Sequence, residues 1–125
     1  MAWIQYNPNP AGRNVGDCAV RAITVALDID WEDAYELLAH AAFNMADMPS
    51  SDSVISAILR SNGFYRDIVP NTCPDCYTVK EFAKDHPVGV YVVKTNDHVV
   101  SILDGIVYDS WNSSNEIPIY YWYKK

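Results

Sequence analysis

Cysteine is scarce in this chain, and the three that occur, Cys18, Cys73 and Cys76, make an odd number. A disulfide framework needs paired thiols and an oxidising compartment, so a disulfide-stapled scaffold is not expected. Basic residues are few too: nine Lys and Arg against sixteen Asp and Glu leave a formal charge of −7. Such a surface repels polyanions, which argues against nucleic acid or an anionic membrane as the principal partner and suits a neutral or basic peptide. No charged segment followed by an apolar core opens the chain, and no apolar run approaches the ~20 residues of a membrane span. The expectation is a cytoplasmic protein. With 125 residues there is chain enough for one core and too little for two, so residues 1–125 are read as a single domain.

What the chain does have is a thiol in an unusual place. In Asn14-Val15-Gly16-Asp17-Cys18-Ala19-Val20-Arg21-Ala22-Ile23, the apolar residues from Ala19 to Leu27 recur with helical spacing, and Asp17 is expected to cap the helix by accepting a backbone N–H. Cys18 then falls at the first helical position. Unpaired N–H groups and the positive end of the helix dipole favour a thiolate there. Asp17 would oppose it, but Arg21, four residues on, can pair with that carboxylate.

About 80 residues downstream, His98-Val99-Val100-Ser101-Ile102-Leu103 and Ile106-Val107-Tyr108-Asp109-Ser110-Trp111 flank Asp104-Gly105, a strong hairpin signal. Counting outward from a two-residue loop, Leu103 faces Ile106 and His98 faces Trp111. Asp109 is then diagonal to His98 and within reach of its ring. An imidazole held by a carboxylate and facing a thiol at a helix start is the arrangement of a nucleophilic triad.

These residues resemble the papain-like cysteine peptidase superfamily. Asp109-Ser110-Trp111 is similar to the papain triplet in which Asn stands where this chain has Asp109, and the hairpin resembles bacteriocin-processing peptidase domains of ABC transporters, which use Asp there. Gly16-Asp17-Cys18 followed by Arg21-Ala22-Ile23 is similar to the nucleophile segment of ovarian-tumour-type deubiquitinases. The resemblance covers residues 14–27 and 86–123. It implies Cys18 as nucleophile, His98 as general base and acid, Asp109 as the group that orients the ring, and Trp111 as a shield over the His98–Asp109 bond. It also implies that Asn would serve at position 109. No cofactor or metal is needed, and the partner is a protein or peptide substrate. Peptide or amide hydrolysis is the leading reaction; transglutamination and side-chain deamidation use the same three residues. Small bacteriophage-encoded papain-like proteins are similarly compact, which implies the cytoplasm of a host cell, and a catalytically silent binding or structural domain is the rival reading. Papain-like enzymes place a Gln six residues before the Cys to help hold the oxyanion, and this chain has Gly12 there. Asn14, Asn7, Asn9 and Gln5 are the alternatives, with Asn14 nearest in sequence, while Asn7-Pro8-Asn9-Pro10 also reads as turn punctuation.

The remaining elements follow from local signals. Asp30 opens a helix with the stripe Trp31, Ala34, Tyr35, Leu38, Ala41 and Ala42, on which His40 reads as a partly buried structural histidine. Ser51 or Asp52 caps a third helix that Asn62-Gly63 ends, and residues 64–69 suit a short strand. Thr78-Val79-Lys80-Glu81 is a capping box for a fourth helix that Pro87 stops. Runs at 89–95, 98–103, 106–110 and 117–123 are expected to form an antiparallel meander turned at Asn96-Asp97 and Asp104-Gly105. The fold expected is therefore α+β and papain-like, with N-terminal helices packed on a C-terminal antiparallel sheet. Cys73-Pro74-Asp75-Cys76 could be loop decoration, half a zinc site or a redox pair. Decoration is expected, because no second pair of ligands accompanies it and it does not follow a strand at a helix start.

Overall fold

The computed structural model describes residues 3–69 and 77–124, so Cys73 and Cys76 lie outside the described residues. In chain order the elements are β1 (Trp3–Gln5), α1 (Cys18–Leu27), α2 (Trp31–Met45), α3 (Asp52–Ser61), β2 (Phe64–Ile68), α4 (Val79–Asp85), β3 (Val90–Lys94), β4 (Val99–Leu103), β5 (Ile106–Asp109) and β6 (Tyr120–Lys124). The fold is α+β. No helix among the described residues is long and apolar enough to cross a membrane.

Side-chain caps start three of the helices. Asp30 accepts from the Asp33 N–H at 2.9 Å, Ser51 from Val54 and Thr78 from Glu81, each satisfying a donor the helix cannot. At the head of α1 the expectation fails: the Asp17 carboxylate makes no cap bond, because Arg21 and Trp31 occupy it. His40 is another correction. It points outward and is exposed, since Ala34, Leu38 and Ala42 form the buried stripe of α2.

The sheet is six-stranded in the order β1-β5-β4-β3-β6-β2. Its centre is the expected hairpin pair: Leu103 faces Ile106 across Asp104-Gly105, and β3 pairs antiparallel with β4. Asp104 and Gly105 both have positive φ, 50° and 78°, as the tight loop requires. Two expectations fall here. The last strand does not continue the meander, and the sheet is mixed. β1 occupies the outer edge of β5 in parallel register, so β6 crosses to the far edge of β3 and pairs there and with β2. The crossing segment is held by α4, whose first N–H groups, from Val79 and Lys80, donate to the carbonyls of Glu116 and Ser114 at 2.9 Å. Ile119 N–H then donates to Lys94 O, and the strand begins at Tyr120 rather than Ile117.

Alternation along β3 and β4 builds a core on each face. Val92, Val99 and Trp122 pack against Ala19, Ile23, Leu38, Ile55 and Leu59 of the first three helices. Val93, Val100, Ile102 and Val107 pack against Val79, Phe82 and Ala83 of α4. Helix α1 is tied to β4 by the buried Ser101 hydroxyl, which donates to Ala22 O at 2.6 Å. The bond holds α1, with Cys18 at its head, against β4.

Candidate active site

Cys18 opens α1, half-buried, on a cleft of about 480 Å³. Asn14, Asp97, His98, Ser110 and Trp111 also line it. The cleft brings together the thiol and the imidazole that lie 80 residues apart in the chain. The third residue of the expected triad is there as well: His98 Nε2 is 2.7 Å from Asp109 Oδ2, and both side chains are buried. Because Nε2 is taken by the carboxylate, Nδ1 is the ring nitrogen left for the sulfur.

The charges reinforce one another. Burial alone would raise the Cys18 thiol, but His98, the backbone of Val99 and the Arg21 guanidinium outweigh it, and the pKa is lowered. Burial would likewise discharge His98; its bonds to Asp109 and Cys18 win, and its pKa is pushed up to about 9. For Asp109, burial is overcome by His98, Ser113 and Arg21, which hold the carboxyl below the usual carboxylate range. A lowered thiol facing a raised imidazole favours the thiolate–imidazolium pair at neutral pH.

Sequence reasoning found the pair of Arg21 with Asp17, at 2.6 Å, but missed that the same guanidinium spans to Asp109. Arg21 Nε and Nη2 lie 3.1 and 3.0 Å from Asp109 Oδ1. One buried cation therefore bridges two buried carboxylates, and the protonated His98 beside Asp109 supplies the second positive charge, so the buried group balances two against two. Ser113 was also missed. Its hydroxyl donates to Asp109 Oδ2 at 2.5 Å, and the Ser110 N–H donates to Oδ1 at 2.8 Å. Trp31 Nε1 completes the chain of contacts by donating to Asp17 Oδ2 at 2.9 Å. No local pattern announces any of these partners; only the four-residue spacing of Asp17 and Arg21 is legible in the sequence.

Trp111 packs its ring centroid 4.8 Å from that of His98 and remains partly open to solvent. Among the oxyanion candidates, Asn9 and Asn7 are used inside their own loop: Asn9 Oδ1 accepts from the N–H groups of Ala11 and Arg13, and Asn7 Oδ1 from that of Asn9. This is the turn-forming use of asparagine. Gln5 lies in β1 in register with Asp109, exposed. Of these candidates Asn14 lines the thiol cleft; its Oδ1 accepts from Asn7 Nδ2 at 3.4 Å, and its amide N–H groups donate to no partner among the described residues.

No protein-family model matches the chain, and neither the curated proteins nor the solved structures contain a match.

Proposed function

We propose that this protein is a thiol-dependent acyl-transfer enzyme with a papain-like Cys-His-Asp arrangement, hydrolysing amide or thioester bonds in a protein or peptide substrate. The observation that carries the reading is the half-buried Cys18 at a helix start facing His98, whose far nitrogen is held at 2.7 Å by a buried carboxylate. Structural cysteines do not need a neighbouring imidazole fixed in one tautomer; nucleophilic ones do.

In the proposed reaction the Cys18 thiolate attacks the carbonyl carbon, and the oxyanion is held by the Cys18 N–H and the Asn14 amide. His98 carries the thiol proton on Nδ1 and gives it to the leaving amine or thiolate, and the C–N or C–S bond breaks. Water, deprotonated by the same nitrogen, then resolves the thioacyl-enzyme. Asp109 holds the ring through both steps and stabilises its charge. Trp111 shields the His98–Asp109 pair from water.

The test is a thioacyl-enzyme. Incubation with an activated acetate ester should place one acetyl group on Cys18, detected by intact mass and peptide mapping, and the adduct should not accumulate in His98→Ala. Acetylation of Cys18 no faster than that of Cys73 or Cys76 would instead favour a silent binding domain.

A further inference from the structure

A second cleft, of about 340 Å³, lies against the first. The two share the wall formed by Val15, Gly16 and Asp17, and beyond that wall the second is lined by Val20, Trp31, Tyr35 and Pro49, with Arg13 on its rim. Its aromatic floor is built: the rings of Trp31 and Tyr35 stack 5.1 Å apart at 25°, and Trp31 is pinned through Nε1 to Asp17. Tyr35 and Val15 remain 48% and 39% exposed, so apolar surface is left open beside the nucleophile. A small, mainly apolar cleft with few polar groups is the usual form of a side-chain subsite.

The chemistry of the thiol cleft says which part of a substrate reaches it. His98 must hand its proton to the leaving group, so the leaving group lies on the side of Cys18 where His98 and Trp111 stand. An acyl portion that reaches the second cleft crosses the 15–17 wall, which both clefts share. We propose that this second cleft is the specificity subsite for the acyl side of the substrate, and that it takes an aromatic or long aliphatic side chain; the proposal rests on the thiol-enzyme reading above. Arg13 sets a further preference. Its guanidinium makes no ion pair among the described residues, whereas the only carboxylate in the lining, Asp17, is already matched by Arg21. A cationic side chain is therefore disfavoured.

The test uses peptidyl acyloxymethyl ketones identical except for Phe, Gly or Lys at the first or the second residue on the acyl side, with iodoacetamide as a probe too small to need a subsite. The Phe ketone should inactivate Cys18 on the order of tenfold faster than the Gly ketone at one of the two positions, and the Lys ketone no faster than Gly. In Tyr35→Ala the Phe-to-Gly ratio should fall several-fold, and the Phe-to-Lys ratio should narrow in Arg13→Glu. Rapid alkylation by iodoacetamide with equal Phe and Gly rates at both positions would overturn the subsite and leave the thiol enzyme standing. A Cys18 no more reactive than a free thiol toward iodoacetamide would overturn both.

Discussion

Replacing Asp109 by Asn is the sharpest perturbation of this site, because five donors converge on the two carboxylate oxygens. Arg21 Nε and Nη2 and the Ser110 N–H meet Oδ1; His98 Nε2 and the Ser113 hydroxyl meet Oδ2. An amide offers one oxygen. If that oxygen stays with Arg21, the NH₂ faces His98 and Ser113; Ser113 can turn to accept, but His98 can do so only with Nε2 bare. The ring then carries its proton on Nδ1, toward the sulfur, and cannot take another from the thiol. The substitution that the papain resemblance makes look mild is therefore expected to remove the base and to leave the buried Arg21 with one carboxylate instead of two. Unpairing a buried ion costs ~3–5 kcal/mol, and the surviving Asp17 contact lowers this to roughly 2–3 kcal/mol. The pH dependence has a definite sign. The His98 pKa is raised to about 9, so the stability it contributes is complete below its unfolded value of ~6.5 and is lost as pH rises through about 9. The lowered Asp109 carboxyl contributes above the ordinary carboxylate range and loses that contribution in acid. Wild type and Asp109→Asn should thus differ more in urea titrations at pH 6 than at pH 10. The midpoint of iodoacetamide alkylation of Cys18 should also rise toward the free-thiol value of ~8.5. A variant with the wild-type alkylation midpoint and a stability loss below ~0.5 kcal/mol would refute this account of the carboxylate.

Three further outcomes follow from the same contacts. His98→Ala should shift the alkylation midpoint of Cys18 upward, since His98 contributes both a hydrogen bond and a charge to the thiolate; an unmoved midpoint in a rate-against-pH series would remove His98 from the site. Arg21→Lys keeps the charge but not the fork that reaches Asp17 and Asp109 together, and should cost roughly 1–3 kcal/mol in urea unfolding with an unchanged slope. Cys73→Ser with Cys76→Ser should leave both the thermal midpoint and Cys18 alkylation unaltered, and metal analysis of protein purified without chelator should find no stoichiometric zinc.

Local chemistry was readable from the residues alone. Asp30, Ser51 and Thr78 head their helices because a short oxygen side chain satisfies an N–H within three residues, and Asp104-Gly105 sets the register that carries His98 to Asp109 because the loop admits only one pairing. The thiol at the start of α1 and the diagonal imidazole and carboxylate were legible for the same reason: each is a count along one helix or one hairpin. What needed the tertiary structure is everything that competes for a shared partner. The parallel edge strand β1 diverts β6 to the other side of the sheet, Trp31 and Arg21 take the carboxylate that would have capped α1, and Arg21 reaches Asp109 across 88 residues. Each of these contacts is chosen by which of several chemically suitable partners the packed core brings within bonding distance, and spacing along the chain carries no record of that choice.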